Sequence, residues 1–429
     1  MLECKCMVNT KDDNVLVGVE CRTNDNERDV YIHFPLGYRL SPPEDEHGQR
    51  RDILLLLSVL RHYSQKLDGI LTNGTDTGDV KFPVEAYLYI IRDYTIRGYY
   101  REKDVTYKVS KRGKINWNRT IKTQKSYVQG TSIFYLDFVT RNQEVKDNEW
   151  ITLIHKYCVY ISFLRMGWLF TGYIPEKPPV KRNDKLFKAV LRDKINQTFD
   201  DNNKHLFNSM MAVLGYEEVC EATKAFRYGT TSFYHVWEAM IDYVYGADNK
   251  QDYFPRTIWR VRDKKTGKIK QIYKSPLEPD SIMPYGGNLF ILDAKYYKYG
   301  VTTDVGDLPD TSSIHKQITY GEYIANRSNL WISKNMNIYN VFILPFATSH
   351  ENGLEYVGEL DYIGEAVSEW KENSKTYEHV EGILLDTKML MEMNVRKDIV
   401  QIKKLAEFIE SYYREARVLE AENALLNTT

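Results

Sequence analysis

The apolar residues of the chain recur with two different spacings, and these spacings predict both helices and strands. An apolar residue at every third or fourth position is typical of one helix face, whereas alternation or a short apolar run is typical of a strand. Helical spacing occurs in segments 51–67, 82–94, 149–170, 185–215, 232–246, 312–327 and 398–422. Strand-like runs occur in segments 15–20, 29–36, 105–110, 132–140, 277–283, 289–297 and 337–347. The pattern therefore predicts a mixed α+β protein.

One proline-rich segment interrupts this pattern. Residues 171–185, TGYIPEKPPVKRNDK, combine three prolines with several charges between apolar segments, which opposes a continuous helix. We predict a linker here. It would separate an N-terminal α+β domain, residues 1–170, from a C-terminal domain, residues 186–429.

Composition narrows the class of protein without naming a partner. The 429 residues include 43% hydrophobic residues, and 58 basic residues nearly balance 59 acidic ones. This balance neither proves nor excludes nucleic-acid binding, since local patches can still bind phosphates. Five cysteines, an odd number without a C-x-x-C pair, favour a reducing compartment. No run approaches eighteen apolar residues and the N-terminal segment is polar, so we expect a cytoplasmic protein without a membrane partner.

The segment LFILDAKYYK, residues 289–298, places two charges inside an otherwise apolar strand. Alternate side chains of a strand share a face, so Asp293 and Lys295 point to the same side. Upstream, Asp280 follows a proline, and PYGG supplies a turn around residues 286 and 287. An antiparallel pairing about that turn would set Asp280 opposite Asp293. The sequence therefore predicts two carboxylates and one ammonium in a single cleft.

Such a cluster is suited to binding Mg²⁺. Neighbouring carboxylates repel each other unless a cation compensates, and Mg²⁺ prefers hard oxygen ligands. In phosphodiester hydrolysis Lys295 could orient the attacking water or stabilise the transition state. The alternative is an edge-strand ion pair between Asp293 and Lys295. The D/E-x-K triplet recurs along the chain, and for its nearest rival, Asp386 with Lys388, we predict a helix N-cap at the aspartate.

These motifs resemble those of a known protein family. PD followed by DAK at this spacing resembles the PD-(D/E)xK nuclease superfamily. Glu238, in FYHVWEAM, resembles the acidic residue that often supplies a further metal ligand there, the alternative being a solvated helix glutamate. Gln317, in SSIHKQITYGEY, resembles the glutamine on the helix after the catalytic strand in RecB-like and McrC-like branches. Together with GKINWNRTI, the set most resembles LlaJI-type restriction endonucleases and the related McrC-like subunits.

The resemblance implies a fold, an activity and a set of site residues. It implies a restriction-endonuclease-like C-terminal domain, in which helices flank a mixed sheet, and Mg²⁺-dependent cleavage of double-stranded DNA in bacterial defence. The implied catalytic residues are Asp280, Asp293, Lys295, Glu238 and Gln317. Of these, Asp280, Asp293 and Glu238 are the implied metal ligands.

The resemblance also implies partners. Such systems often include a nucleotide-hydrolysing motor subunit and a cognate methyltransferase. The chain has no G-x-x-x-x-G-K-[S/T] loop, so a motor would be another subunit, and the N-terminal domain could dock it or recognise DNA. Basic segments 107–125 and 259–274 are candidates for phosphate contacts. One active site cuts one strand at a time, so double-strand cleavage needs a homo-oligomer or sequential nicks.

Two other functions remain open at this point. The chain could be a catalytically inactive nuclease-like module that regulates a motor partner. It could also be a DNA-repair or RNA-processing nuclease, which would share the chemistry but not the substrate.

Overall fold

The computed structural model describes most of the chain and gives the bounds of its helices and strands. It describes residues 4–24, 27–64, 72–73, 83–146, 149–219, 226–327, 336–348, 358–395 and 399–426. The strands are β1 (Lys5–Val8), β2 (Val17–Asn24), β3 (Glu27–Phe34), β4 (Thr72–Asn73), β5 (Glu102–Val109), β6 (Lys114–Ile115), β7 (Ser126–Gln129), β8 (Ser132–Tyr135), β9 (Val139–Lys146), β10 (Phe226–Thr230), β11 (Ile258–Arg262), β12 (Ile269–Tyr273), β13 (Ser281–Tyr285), β14 (Asn288–Ala294), β15 (Ile338–Phe346), β16 (Leu360–Val367) and β17 (His379–Asp386). The α-helices are α1 (Glu46–Ser64), α2 (Val84–Arg97), α3 (Trp117–Thr123), α4 (Trp150–Met166), α5 (Asp184–Gln197), α6 (Asp201–Val219), α7 (Phe233–Tyr245), α8 (Tyr299–Thr302), α9 (Thr311–Ala325), α10 (Thr387–Val395) and α11 (Ile399–Leu426).

The chain forms two compact units. The first comprises residues 1–3 and 74–224, and the second comprises residues 4–73 and 225–429. The second unit is therefore built from two separated stretches of sequence.

The first unit combines a helical cluster with small sheets. In its three-stranded sheet, β9 pairs antiparallel with both β5 and β6. Strands β7 and β8 form a separate two-stranded sheet. Helices α2, α4, α5 and α6 pack on one another. A buried ion pair joins three of them: Arg165 Nε donates to Glu217 Oε1 over 2.8 Å, and the Tyr87 hydroxyl donates to the same oxygen over 2.7 Å. Each charged group is thus compensated inside the apolar cluster.

The second unit contains two five-stranded sheets, with strand orders β1-β3-β2-β10-β4 and β13-β14-β15-β17-β16. In the latter, which we call the central sheet, β14, β15 and β17 run parallel, and antiparallel β13 and β16 form its edges. All nine residues of β15 are buried, as expected for the middle strand of a covered sheet. Helix α9 packs Tyr320 and Ile324 onto Leu289 and Ile291 of β14. Helices α7 and α11 also contact this sheet.

The predicted mixed architecture is confirmed, with sheets flanked by helices. The long helical segment 185–215 differs from prediction, because it is two helices, α5 and α6, separated at residues 198–200. There the Asp200 carboxylate accepts the backbone N–H of Asn203 at the start of α6. Residues 65–67 of the first predicted helix, and Cys220, lie outside the described residues.

The two units do not coincide with the division predicted at the proline-rich segment. Residues 171–185 lie inside the first unit, where they connect α4 to α5 and include the first two residues of α5. Strands β1 to β3 belong to the second unit, because β2 pairs antiparallel with β10. Local composition cannot reveal a pairing between strands so far apart in sequence. The roles expected for residues 1–170 and 186–429 stay predictions.

A helix that crosses a lipid bilayer must be both long and apolar. Within the described part of the chain, no helix is both long and apolar enough to cross one. Helix α4, which is largely apolar, carries buried His155 and Arg165.

Candidate functional site

The two predicted aspartates meet at one end of the β13–β14 hairpin. Strand β13 pairs with β14 so that Ser281 lies opposite Leu292 and Tyr285 opposite Asn288. Continuing this register by one residue puts Asp280 opposite Asp293, as predicted. Gly286 and Gly287 make the turn with φ of 59° and 83°, values that glycine adopts readily in tight hairpins. The turn therefore sets the spacing of the two carboxylates.

Each aspartate has a defined partner. Lys295 Nζ lies 2.6 Å from Asp293 Oδ2, and the Asp293 side chain is only 4% exposed. The backbone N–H of Ala294 donates to Asp280 Oδ2 over 2.8 Å. The structure thus places Asp280, Asp293 and Lys295 together at the end of β14.

Burial and mutual repulsion change the protonation of this cluster. Burial, and then the negative charges of Asp293 and Glu238, raise the pKa of Asp280 to about 7. Burial also raises the pKa of Glu238, with a smaller contribution from Asp293 in the same direction and an opposing one from His235. The Asp280 carboxyl therefore titrates near neutral pH, and a bound cation would favour its charged form.

Glu238 belongs to the same electrostatic cluster but is more exposed. It lies on α7, its side chain is 38% exposed, and it forms an ion pair with His235 Nδ1 over 3.5 Å. Buried Trp237, the preceding residue, donates from Nε1 to the Ile343 carbonyl of β15 over 3.4 Å and fixes the helix on the sheet. Glu238 thus stands at the open side of the site.

Gln317 lies on the other helix that covers β14. It is buried, and its Nε2 donates to the Ile291 carbonyl over 2.7 Å, two residues before Asp293. Its Oε1 is buried and has no hydrogen-bond partner within the described residues. The structure therefore gives Gln317 a position beside β14, whereas a contact with the carboxylates is absent among the described hydrogen bonds.

A second network, which the sequence did not predict, holds the segment that carries Asp280. Lys250 Nζ donates to the Asp280 carbonyl over 2.8 Å and to Asp242 Oδ2 over 2.7 Å. The Ser281 hydroxyl donates to the other Asp242 oxygen over 3.0 Å. Asp242 lies one helical turn after Glu238, so the i, i+4 spacing could have indicated it. Lys250, in a short 3₁₀ turn, gave no comparable signal.

These residues line a small cleft. It encloses about 240 Å³, and its walls include Glu238, Asp242, Lys250 and Asp280. The cleft gives solvent access to Asp280 and Glu238, whereas Asp293 and Lys295 are not among its lining residues.

The rival triplet has a structural role. Asp386 Oδ1 accepts the backbone N–H of Met389 over 2.8 Å at the start of α10, so the predicted helix N-cap is confirmed. Lys388 pairs with buried Asp52 over 2.6 Å. The D-x-K pattern therefore caps a helix at the end of β17, whereas at the end of β14 it forms part of a carboxylate cluster.

The carboxylates fit Mg²⁺ by their chemistry. Asp280 Oδ1 and Asp293 Oδ1 make no hydrogen bond to any described residue, which leaves one oxygen of each aspartate for a cation. Within the described residues no group of three His, Cys, Asp or Glu side chains has the arrangement of a metal cage. Mg²⁺ commonly binds through one or two carboxylates and completes its shell with waters and substrate phosphates. A two-aspartate site satisfies that requirement.

The raised pKa of Asp280 predicts a pH-dependent stability. Because its folded pKa, about 7, lies above the ordinary 3.8, the folded state holds the proton more tightly than the unfolded state, and this contribution to stability is lost progressively as pH rises from 3.8 to about 7. An Asp280→Asn variant stays neutral and keeps an acceptor for the Ala294 N–H. We expect the variant to gain stability relative to the native chain between pH 5.5 and pH 8, measured by urea unfolding. An equal difference at both pH values would contradict the shifted titration.

The fold and site define a class: a mixed α/β protein with a carboxylate pair and a lysine at the C-terminal end of an inner strand, β14. The family model of the LlaJI restriction endonuclease matches residues 26–385, most of the chain. The chain belongs to the LlaJI restriction endonuclease family.

The chain is less similar to solved structures and to curated proteins than to this family model. One similar structure is the refined half-complex from a tetradecameric assembly of Thermococcus gammatolerans McrB AAA+ hexamers with bound McrC. It is 14% identical, has a TM-score of 0.32, and covers 88% of this chain and 82% of that chain. No curated protein matches. The TM-score is too low for a functional conclusion.

Proposed function

We propose that the chain is a Mg²⁺-dependent endonuclease that hydrolyses phosphodiester bonds of double-stranded DNA in a bacterial restriction system. The observation that carries the proposal is the register of the β13–β14 hairpin, which brings Asp280 opposite Asp293 with Lys295 against Asp293. Membership of the LlaJI family supports a nuclease of the PD-(D/E)xK type.

The proposed roles follow from charge and position. Asp280 and Asp293 would hold the cation through their unpaired oxygens, and Glu238 would bind it directly or through water from the open side. When bound, Mg²⁺ neutralises phosphate charge and lowers the pKa of coordinated water. Lys295 is held by Asp293, and its ammonium would orient the attacking water or stabilise charge on the phosphate.

Gln317 is assigned a supporting role in this proposal. Its amide fixes the backbone of β14 at Ile291, and its unpaired Oε1 offers an acceptor for an ordered water. Lys250 and Asp242 would hold the Asp280 segment in register.

The wider system is also part of the proposal. A nucleotide-hydrolysing motor subunit would supply translocation, since this chain has no P-loop sequence of its own, and a cognate methyltransferase would protect host DNA. Two copies of the chain, or successive nicks, would cut both strands. We place this activity in the cytoplasm.

The test is a cleavage assay on the full-length chain. We expect nicking or cutting of duplex DNA with Mg²⁺, alone or with a candidate motor protein and its nucleotide, and no cleavage in EDTA. Single-stranded DNA and RNA are the comparison substrates, and faster cleavage of RNA would indicate an RNA-processing nuclease instead. Absence of both cleavage and Mg²⁺ binding by calorimetry would indicate a catalytically inactive module.

A further inference from the structure

An exposed, strongly basic hairpin immediately precedes the catalytic hairpin in the chain. Strands β11 and β12 pair only with each other among the described strands, and all ten of their residues are exposed. We call this hairpin, with its turn, the basic ribbon, residues 256–274. An isolated two-stranded hairpin is only marginally stable in water, so a partner surface would complete it.

The charge of the basic ribbon is unbalanced. Residues 256–274 contain eight basic residues and one acidic residue. The basic members are Arg256, Arg260, Arg262, Lys264, Lys265, Lys268, Lys270 and Lys274. None of the eight forms an ion pair with any residue that the structure describes. The ribbon therefore presents a concentrated positive charge to solvent.

The single acidic residue, Asp263, does not pair with these cations, because its carboxylate is hydrogen-bonded to the backbone of the turn. Asp263 Oδ1 accepts the backbone N–H groups of Lys265 and Thr266, over 2.8 and 2.7 Å. Gly267 completes the turn with φ of +69°. The lysines of the turn are thereby held at the tip of the ribbon.

Apolar side chains accompany the cations on both faces. Trp259 lies opposite Ile272 on one face, and Ile258 lies opposite Tyr273 on the other. Trp259 and Tyr273 are 62% and 63% exposed. Exposed aromatic residues among unpaired cations suit a polyanion that also offers apolar or stacking surface, which describes DNA better than an acidic protein.

The connection to the site limits how far away this DNA contact can be. Two backbone hydrogen bonds join the two ends of the ribbon at its base. The Lys274 N–H donates to the Thr257 carbonyl, and the Leu277 N–H donates to the Pro255 carbonyl. Asp280 follows Tyr273 by seven residues, which span at most about 25 Å. One turn of B-DNA is about 34 Å long, and its major groove admits a two-stranded β-ribbon.

We propose that the basic ribbon binds duplex DNA within one helical turn of the phosphate that the Asp280–Asp293 site cleaves, and so holds the substrate on the enzyme. This inference rests on the proposed nuclease function for its substrate. The binding step itself can be measured without cleavage.

The test uses the full-length chain with Asp293→Asn, so that duplex DNA stays intact in the presence of Mg²⁺. The ribbon variant carries Lys264→Gln, Lys265→Gln and Lys268→Gln. The matched control carries Lys177→Gln, Lys181→Gln and Lys185→Gln, three exposed cations outside both basic segments. Duplex binding is followed by fluorescence anisotropy across a salt series.

We expect the ribbon variant to bind at least about tenfold more weakly and to lose about 2 to 3 units of the log–log salt slope, because each phosphate contact contributes about 0.9. The control should change affinity less than about twofold. Native-like affinity and slope in the ribbon variant, a larger loss in the control, or no duplex binding by the parent chain would overturn the inference. Stronger ribbon-dependent binding to single strands than to duplex would overturn it as well.

The outcomes separate this inference from the proposed function. Cleavage by the native chain with unchanged binding by the ribbon variant would support the proposed nuclease and contradict the DNA-binding role of the ribbon. Ribbon-dependent binding without any cleavage would support the role of the ribbon and contradict the proposed nuclease.

Discussion

Replacing Asp293 with asparagine is expected to lower the rate of DNA cleavage by about 10³-fold or more. The change removes a negative charge that the proposed Mg²⁺ site requires, and it leaves the Lys295 ammonium without its partner at 2.6 Å. A Lys295→Met variant should lose about 10² to 10³-fold, because the ammonium would no longer act on the attacking water or the phosphate. Single-turnover cleavage of a labelled duplex measures both effects.

The rival triplet supplies the control for this experiment. Asp386→Asn makes the same chemical change at a D-x-K aspartate, and asparagine caps a helix about as well as aspartate. This variant should fold and cleave at the native rate. Native rates in both Asp293→Asn and Lys295→Met would show that the pair is a structural ion pair without a catalytic role.

Replacing Gly18 with alanine is expected to destabilise the second unit by about 3 to 5 kcal/mol, from backbone strain and steric overlap together. Gly18 has φ of +146° and lies opposite Gly229 where β2 and β10 pair. A Cβ at position 18 would overlap the carbonyl oxygen of Tyr228 and the backbone of Gly229. Urea unfolding measures the loss, and hydrogen exchange in β2 and β10 would locate it.

Gly364 provides a matched control for the backbone term. Its φ is +134°, close to that of Gly18, but a Cβ there would meet no atom within 4 Å. Gly364→Ala should therefore cost only the conformational strain, about 1 to 2 kcal/mol. Equal losses in the two variants would mean that the close approach of β2 and β10 contributes nothing.

The C-terminal helix shows how far periodicity could be trusted. Its apolar spacing predicted one stripe along residues 398–422, and Ala406 and Ile409 are fully buried in α11. Ile399, counted in the same stripe, is 78% exposed. The helix meets β13, β17 and α7, so the stripe packs within the chain, but only those neighbours determine where it starts. Apolar periodicity identifies which face of a helix is buried, but it does not identify the residues at which the buried stripe begins and ends.

The sequence by itself determined the features that depend on near neighbours. Asp280 and Asp293 lie in one hairpin joined by Gly286 and Gly287, so strand alternation and turn geometry were enough to predict that they face each other. The buried character of β15 and the N-cap at Asp386 were also local properties.

The tertiary structure alone decided the features that join distant segments. These include the pairing of β2 with β10, the contact of Lys250 with the Asp280 carbonyl, and the hydrogen bond from Gln317 to Ile291. A local pattern shows that a strand or side chain needs a partner, but many distant partners meet that need equally well. Which one is chosen depends on the packing of the whole unit, and so does the raised pKa of Asp280, which arises from burial and from the charges of Asp293 and Glu238.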